Sequence, residues 1–360
     1  MWRFFAVVLL ACRPDVADPV ESGTKESGLV DTDSGQVIEP PGPRAVILFI
    51  GDGMGFEHVQ GGGLYLNGEA GSLEMESMPW SGRLRTASLS GYTDSAAAAT
   101  SMATGVKTYN AYLGMDRTGA EVPSLLDEAR SLGLSTGVVT TDQLTGATPS
   151  AFQAHVLSRY DTNAIVAEWL VDVPDVAFGG GAVNLLKGMS LLDVQLLTSS
   201  DELVGVEQDG RPIVGLFADT TFPFVLDTIL ADGDTDLVED VPTLAEMVEA
   251  AIQLLSTNED GFFLVVESAR IDHASHSNSA SKVHPETVAF DEAVAVAKDW
   301  AEARKDDFPE LETTLLVTAD HECGGMTVTG SSAAGEVPTT EWRWGDHTNA
   351  DVPVFGFGDR

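Results

Sequence analysis

The sequence predicts an α/β fold: a doubly wound, mostly parallel central sheet with helices on both faces. Continuous apolar runs rich in β-branched and aromatic residues are typical of strands buried on both faces of a parallel sheet. Four such runs occupy residues 45–50, 136–141, 262–266 and 313–318. Helical patterns accompany them at residues 122–132, 150–160, 243–256 and 286–303. Strands that alternate with helices imply a parallel sheet with right-handed crossovers.

Each predicted strand leads into polar residues at its carboxyl end. Asp52 follows the first strand, Asp142 the second, Glu267 the third, and Asp320 with His321 the fourth. Ligands bind outside the carboxyl ends of the strands in open parallel sheets, so these side chains are expected at one edge, which would hold the active site. Asp52 between two glycines is also ordinary turn chemistry. Its position directly after a buried strand favours a functional role.

Ser95 is predicted to begin a helix. It follows Asp94 and precedes a run of Ala, Thr, Ser and Met. Free backbone N–H groups and the helix dipole at such a terminus attract phosphate or sulfate. The alternative is that Thr93, Asp94 or Ser95 is only an N-cap. No histidine adjoins Ser95, so metal activation of its hydroxyl competes with a Ser-His-Asp arrangement.

A second set of polar side chains has the spacing of metal ligands. Asp272 and His276 are four residues apart, which places carboxylate and imidazole on one helix face, as suits zinc. The alternative is a surface helix with incidental histidines, although three of the seven histidines fall within residues 273–284. His347 precedes a predicted last strand at residues 352–357. These groups and the strand-end groups together exceed the needs of one ion and favour two neighbouring metals.

The composition is strongly acidic, with 56 Asp and Glu against 19 Lys and Arg and a net charge of −37. This argues against nucleic acid or anionic membranes as partners. It would also repel an anionic substrate unless metal ions reverse the local sign of the field.

Residues 1–12 predict an export signal, with Arg3 followed by an apolar run too short to cross a bilayer. The segment LLAC, which ends at Cys12, resembles the lipobox of bacterial lipoproteins, so a lipid anchor is favoured over simple secretion. Both alternatives predict a periplasmic location or an outer-membrane or cell-surface lipoprotein. With Cys12 used there, Cys323 has no partner for an intramolecular disulfide.

The remaining chain divides into a tether and one domain. Residues 13–44 are rich in Asp, Glu, Pro, Gly and Ser and predict a disordered acidic linker. Residues 45–360 are long enough for one large α/β core. Residues 161–242 are interpreted as an insertion over the strand-end edge of this core.

Several motifs in order resemble those of the alkaline phosphatase family, over nearly all of the chain from Ala45 except residues 161–242. They are GDGMG at 51–55, DSAA at 94–97 with TGVKT at 104–108, ATPSAFQAHVLSR at 147–159, ESARIDHASH at 267–276, VTADH at 317–321 and DHT at 346–348. The resemblance implies two zinc ions and one magnesium ion. The implied ligands are Asp272, His276 and His347 for one zinc, Asp52, Asp320, His321 and the Ser95 oxygen for the other, and Asp52, Thr148 and Glu267 for magnesium.

The resemblance also implies that Arg159, expected at the end of the helix after Thr148, grips two phosphate oxygens, a bidentate role that suits arginine. An arginine at a helix end otherwise often compensates the dipole. Two positions depart from the family pattern. Gly146 stands where some members have Asp or His, which puts the third metal in question, and His273 is expected to tune phosphate contact rather than bind zinc.

The expected activity is hydrolysis of phosphate monoesters to an alcohol and inorganic phosphate through a phosphoserine at Ser95. One alternative is a phosphodiesterase or sulfatase of the same superfamily. Another is a secreted metal- or phosphate-binding protein without turnover, against which the serine counts. The expected partners are small phosphate monoesters, with no nucleic acid, with membrane contact only through the N-terminal anchor, and with a homodimer as in many family members.

Overall fold

The computed structural model describes residues 44–231, 240–307 and 312–358. The predicted signal at residues 1–12 and the predicted tether, except for Arg44, lie outside these ranges. Within them, no helix combines the length and the apolar character needed to cross a membrane.

The described chain contains strands of two to nine residues. They are β1 Arg44–Gly51, β2 Trp80–Leu84, β3 Ser135–Gln143, β4 Val176–Gly180, β5 Gln195–Leu197, β6 Ile213–Ala218, β7 Gly261–Ser268, β8 Glu312–Thr318, β9 Glu322–Cys323, β10 Thr327–Val328, β11 Thr340–Glu341, β12 His347–Thr348 and β13 Val352–Phe357.

The helices connect these strands in nearly regular alternation. They are α1 Phe56–Asn67, α2 Ser95–Thr104, α3 Leu125–Ser131, α4 Ala147–Gln153, α5 Thr162–Val171, α6 Ala182–Met189, α7 Ser200–Leu203, α8 Val225–Ala231, α9 Leu244–Leu255, α10 Arg270–His276 and α11 Ala280–Asp307.

A nine-stranded sheet organises the described part of the chain, in the order β2-β13-β8-β1-β7-β3-β4-β6-β5. The strands from β8 to β5 are parallel, and β13 runs antiparallel to both of its neighbours. The register aligns Ile50 of β1 with Glu267 of β7 and Thr318 of β8. The polar residues that follow these strands therefore meet at one edge, as the sequence predicts.

Helices cover both faces of the sheet, which confirms the doubly wound fold. Alternate residues of β1 point to opposite faces because the side-chain period of a strand is two. Phe49 packs edge to face on Phe290 of α11, with ring centroids 6.0 Å apart, in a core shared with α9. Leu48 and Ile50 belong to a second core with α2, α3, α4 and α5. Burial on both faces explains why the strand sequences are apolar throughout.

The helix predicted at residues 150–160 is wrong at its C-terminal half. Helix α4 ends at Gln153, and Ala154 is already extended with φ −130° and ψ 153°. Val156 instead forms an antiparallel bridge with Leu113, with N–H to oxygen distances of 2.9 and 3.0 Å. A long-range pairing has thus displaced a local helical pattern. Arg159 consequently lies in a loop, where its N–H donates to the Ala111 carbonyl at 2.8 Å.

The segment predicted as an insertion, residues 161–242, contributes three strands to the sheet in its described part. Its strands β4, β6 and β5 extend the sheet beyond β3. Phe178 and Ile213 are fully buried, so this region belongs to the core rather than covering it. Residues around Phe222 lie at the strand-end edge, where the Phe222 N–H donates to the Thr141 carbonyl at 3.0 Å.

Candidate active site

The turn after β1 brings Asp52 to the centre of the strand-end edge. The Asp52 N–H donates to the Ser268 carbonyl at 3.1 Å, and the Gly53 N–H donates to Asp320 Oδ1 at 3.0 Å. Gly53 has φ +74°, and a Cβ on it would lie 2.8 Å from Asp272 Oδ1. A left-handed turn without a side chain is therefore needed for Asp272 to approach Asp52.

Ser95 is the first residue of α2, as predicted, and its side chain is buried. Asp94 is the N-cap and accepts the Ala97 N–H at 3.0 Å, so the cap predicted among Thr93, Asp94 and Ser95 is Asp94, and Ser95 is the first residue of the helix. Ser95 Oγ lies 3.5 Å from His321 Nε2. The same nitrogen is 3.1 Å from Asp320 Oδ2 and 3.5 Å from Asp52 Oδ1.

Helix α10 and the β12 strand supply a second group. On α10, His276 Nε2 lies 3.2 Å from Asp272 Oδ2, so the four-residue spacing does place both side chains on one helix face. His347 Nε2 is 3.6 Å from Asp272 Oδ1 and 3.1 Å from His276 Nε2. The two groups adjoin, because the rings of His321 and His347 stack at 3.6 Å.

The histidine tautomers of this second group follow from their outer hydrogen bonds. His276 Nδ1 lies 2.9 Å from the Gly345 carbonyl, and His347 Nδ1 lies 2.8 Å from the Thr93 carbonyl. A carbonyl can only accept, so each Nδ1 carries a proton and Nε2 is the atom that faces Asp272. The Nε2–H of His276 donates to Asp272, and this hydrogen bond raises the pKa of His276 to about 9. Such an outer hydrogen bond is typical of metal-binding histidines.

The electrostatics of the cluster fit bound cations. Three carboxylate oxygens, Asp52 Oδ1, Asp272 Oδ1 and Asp320 Oδ2, are buried without a hydrogen-bond partner among the described residues. Burial, with the charges of Asp320 and Asp272, raises the pKa of Asp52 well above its usual value. Burial works in the same direction on Asp272, but the His276 hydrogen bond and the neighbouring imidazoles lower its pKa overall. Buried carboxylates and imidazole lone pairs this close are stabilised by metal ions.

Two sets of ligand atoms each lie within 4.8 Å of one another. They are Asp272, His276, Cys323 and His347 in one set, and Asp52, Asp272 and His321 in the other. Cys323 is a buried free thiol, and burial together with the charge of Asp272 raises its pKa.

A third group of oxygen atoms lies beside these sets, between β7 and α4. Glu267 is buried, and burial together with the charge of Asp142 raises its pKa to about 8. Its Oε2 accepts a hydrogen bond from the Thr140 hydroxyl. Thr148 is also buried, and its hydroxyl has no hydrogen-bond partner within the ranges described.

Arg159 reaches the site through Asp94 rather than from a helix end. Its guanidinium lies 3.4 Å from Asp94 Oδ2, which also accepts the Ala111 N–H at 3.0 Å. Asp94 therefore caps α2 with one oxygen and positions Arg159 with the other. The motif pointed to the arginine, and only the fold shows which carboxylate holds it.

His58 on α1 is a site neighbour that the sequence analysis missed. It is fully buried; its Nδ1 accepts the Gly55 N–H at 3.1 Å, and its Nε2 donates to Ser275 Oγ at 3.0 Å. Burial lowers its pKa to about 3. This bond joins the turn after β1 to α10, the helix that carries Asp272. An isolated histidine in a helical pattern offers no sequence signal for such a contact.

His273, which is expected to tune phosphate contact, accepts a hydrogen bond of 2.8 Å at Nδ1 from the Arg270 guanidinium. That guanidinium stacks on Phe224, with its central carbon 3.6 Å from the ring centroid. Phe224 precedes α8, so residues 161–242 reach the edge of the site at this point. The structure thus brings the predicted residues to one edge and adds Asp94, Arg270 and His58 around them.

The chain has a doubly wound sheet, and candidate cation ligands lie together at the carboxyl ends of its strands. These two features are typical of α/β metalloenzymes. The particular family is shown by comparison: a family model described as alkaline phosphatase matches residues 43–187 and 178–359, and the chain belongs to that family of phosphomonoesterases.

Relatives and solved structures agree with this membership. The chain is 34% identical to the alkaline phosphatase of Escherichia coli over 81% of its own length and 72% of that protein. It is 34% identical to alkaline phosphatase 4 of Bacillus subtilis over 79% of its own length, which spans 62% of that relative. The cold-active alkaline phosphatase of a Shewanella species superposes with a TM-score of 0.76 at 27% identity, over 87% of this chain and 94% of that one.

Proposed function

We propose that the chain hydrolyses phosphate monoesters to an alcohol and inorganic phosphate through a phosphoserine at Ser95. The observation that carries this proposal is the position of the Ser95 hydroxyl. It lies at the N-terminus of α2 and 3.5 Å from His321 Nε2, beside carboxylate oxygens that lack hydrogen-bond partners in the described structure. A nucleophile, a cation site and an anion-binding helix end therefore converge on one point.

The donor types divide the cations by chemistry. Asp272, His276 and His347 would hold one zinc, and Asp52, Asp320 and His321 with Ser95 Oγ the other, since imidazole and carboxylate suit zinc. Asp52, Thr148 and Glu267 offer only oxygen, which suits magnesium. Bound metals would supply Lewis-acid stabilisation of the attacking and leaving oxygens and lower the pKa of the serine hydroxyl.

The residues of the chain account for both steps of the transfer. Ser95 Oγ loses its hydroxyl proton and forms a bond to phosphorus while the bond from phosphorus to the alcohol oxygen breaks, and the leaving oxygen takes up one proton. The oxygen of water then bonds to the phosphoserine phosphorus while the bond from phosphorus to Ser95 Oγ breaks. The proton that the water loses balances the proton that Ser95 Oγ regains, and inorganic phosphate leaves. Burial of Ser95 holds the hydroxyl in place and limits the approach of competing groups.

Substrate preference follows from the charges that meet the phosphate. Arg159, held by Asp94, offers paired N–H donors to two phosphate oxygens, and the first N–H groups of α2 face the same anion. A dianionic monoester gains more from these donors than a diester with one charge fewer. The metal charges would also offset the acidic field of the chain, whose net charge is −37.

Hydrolysis of a chromogenic phosphate monoester at alkaline pH, compared with the matching diester and sulfate, tests this proposal. We expect a preference for the monoester that a chelator abolishes and that added zinc and magnesium restore. Preference for the diester or sulfate would instead support the phosphodiesterase or sulfatase alternative on the same fold.

Replacement of Ser95 tests the nucleophile. Ser95→Ala should retain bound zinc and lose turnover by more than about a thousandfold, as expected when the attacking group is removed. Ser101→Ala is a matched control on the same helix, because the Ser101 hydroxyl only bonds the Ala97 carbonyl at 2.8 Å. Full turnover in Ser95→Ala would contradict the phosphoserine step, and metal binding without turnover in the wild type would indicate a binding protein.

We also propose export for this chain, from the signal pattern at residues 1–12, with attachment through Cys12 as the favoured form. Residues 13–44 would then separate the anchor from the catalytic domain that begins at Ala45. A homodimer is proposed because the family resemblance implies one. Mass spectrometry of the mature N-terminus and the molecular mass in solution test these two points.

A further inference from the structure

Asp142, at the carboxyl end of β3, fills the space beside Gly146. A Cβ built on Gly146 would overlap Asp142 Oδ2 and would lie 2.8 Å from the Gln143 carbonyl oxygen. Asp142 in this orientation and any side chain at position 146 therefore exclude each other. Glycine at 146 is what allows the Asp142 carboxylate to enter this space.

The Asp142 carboxylate has no hydrogen bond or ion pair with the residues that the structure describes, although its backbone is fixed. Its N–H donates to Thr140 Oγ1 at 2.9 Å, and the same hydroxyl donates to Glu267. The Asp142 backbone and the Glu267 carboxylate are thus tied to one hydroxyl, and the charges of the two carboxylates interact. Neighbouring carboxylates repel each other unless a cation lies between them.

Thr148 provides a second, independent observation. Its side chain is buried, with 1% of its surface exposed, and Oγ1 has no hydrogen-bond partner in the described ranges. Thr148 lies beside Glu267. A buried hydroxyl left unsatisfied beside a carboxylate costs free energy, which a bound cation would offset.

We propose that the Asp142 carboxylate is an oxygen ligand of the magnesium site formed with Glu267 and Thr148, and that it occupies the space that a side chain at position 146 would otherwise fill. All three donors are hard oxygen atoms, which favours Mg²⁺ over Zn²⁺. The inference rests on the magnesium site of the proposed function but does not depend on substrate turnover.

The neighbours of Asp142 supply a competing explanation. The negative charge of Asp142 interacts with both Arg270 and His273, so stabilising the positive charge of this pair could be the whole role of Asp142. In that case its removal would leave magnesium affinity unchanged.

Magnesium binding to zinc-loaded protein tests the proposal, with Mg²⁺ alone as the titrant in calorimetry and in thermal unfolding. Asp142→Asn keeps the shape of the side chain, and Asp142→Ala also removes the amide oxygen that an asparagine offers. We expect magnesium to bind at least about 10- to 100-fold more weakly in both variants, the range typical when a group that supports the metal ligands is altered. The zinc content should stay unchanged.

Asp219→Asn is the matched control, since Asp219 is exposed and, among the residues that the structure describes, hydrogen-bonds only through its carbonyl, which accepts the Val183 N–H. Wild-type magnesium affinity in both Asp142 variants would overturn the proposal, as would wild-type protein that binds no magnesium. Loss of zinc with magnesium would also overturn it, because the effect would then be general. If wild-type protein binds magnesium through Asp142 but hydrolyses no monoester, the proposed function fails and the site stands.

Discussion

At the scale of single residues, Asp94 links the proposed nucleophile, Ser95, to the proposed phosphate-binding group of Arg159. One of its oxygens caps the helix that begins with Ser95, and the other contacts Arg159 at 3.4 Å. Because the contact is partly exposed to solvent, its contribution to stability is small. Its value lies in holding the guanidinium in one orientation near the serine.

Removal of the Arg159 guanidinium should weaken phosphate recognition. A hydrogen bond to a charged group contributes about 1.5–3 kcal/mol, so Arg159→Ala should lower kcat/KM about ten- to hundredfold. The inhibition constant of inorganic phosphate should rise in parallel, which steady-state kinetics with a monoester measures. Arg117→Ala, at an exposed loop position, is the control and should behave as wild type. Equal kinetics in the two variants would show that Arg159 does not contact substrate.

At the scale of secondary structure elements, the site depends on how α1 and α10 meet. His58 of α1 donates to Ser275 of α10 at 3.0 Å, and Ser275 Oγ donates to the Ile271 carbonyl at 2.7 Å. This short chain of bonds fixes the helix that presents Asp272 and His276. The bond needs neutral His58, which burial maintains by lowering its pKa to about 3.

His58→Ala should destabilise the protein by about 1–3 kcal/mol at pH 8, because Ser275 loses a buried partner. In the wild type, His58 takes up a proton on unfolding once the pH falls below its ordinary pKa near 6.5, so its stabilising contribution is lost as the pH falls from about 6.5 towards 3. The difference in unfolding free energy between wild type and variant should therefore shrink over that interval. Urea unfolding at several pH values measures it.

Gln60→Ala is the control for the His58 variant, since Gln60 lies on the same helix and is only half-buried. A constant difference between wild type and His58→Ala from pH 8 to pH 5 would contradict the assigned protonation state.

At the scale of the whole molecule, the two hydrophobic cores and the site are separate sources of stability. The cores lie on the two faces of the sheet, whereas the buried carboxylates gather at its edge. Without cations, like charges at Asp52, Asp272 and Asp320 oppose folding, and the net charge of −37 adds a general repulsion.

Metal removal should therefore lower thermal stability without abolishing the fold. A cation present at a hundred times its dissociation constant stabilises the folded state by about 2.7 kcal/mol. We expect a chelator to lower the Tm by roughly 5 °C or more, with little change in the circular dichroism of the folded state at 25 °C. Chelator saturated with zinc and magnesium is the control, and an unchanged Tm would argue against structural occupancy of the edge.

Much of the sheet, and the edge that carries the candidate site, could be predicted because strand burial, helical spacing and capping leave local patterns in the sequence. A strand buried on both faces is apolar throughout, and the residue after it must emerge at the carboxyl edge, which located Asp52, Glu267 and Asp320. The four-residue spacing of Asp272 and His276 likewise determined their shared helix face. Local capping preferences indicated that a helix begins near Ser95.

The remaining features depend on contacts between residues far apart in the chain. The bridge between Val156 and Leu113 ended a helix that the local pattern favoured. The strands β4, β5 and β6 were interpreted as part of an insertion because the pairing partners of a short apolar run cannot be identified from the run itself.

The amino-acid sequence by itself thus determined the α/β class, the family resemblance and the chemical types of the site residues, because these follow from local periodicity and ordered motifs. Only the tertiary structure decided that Asp94 holds Arg159, that His58 joins α1 to α10, and that Asp142 fills the space beside Gly146. The physical reason is that a hydrogen bond or a steric overlap depends on positions within a few ångströms, which only the packed sheet and helices establish.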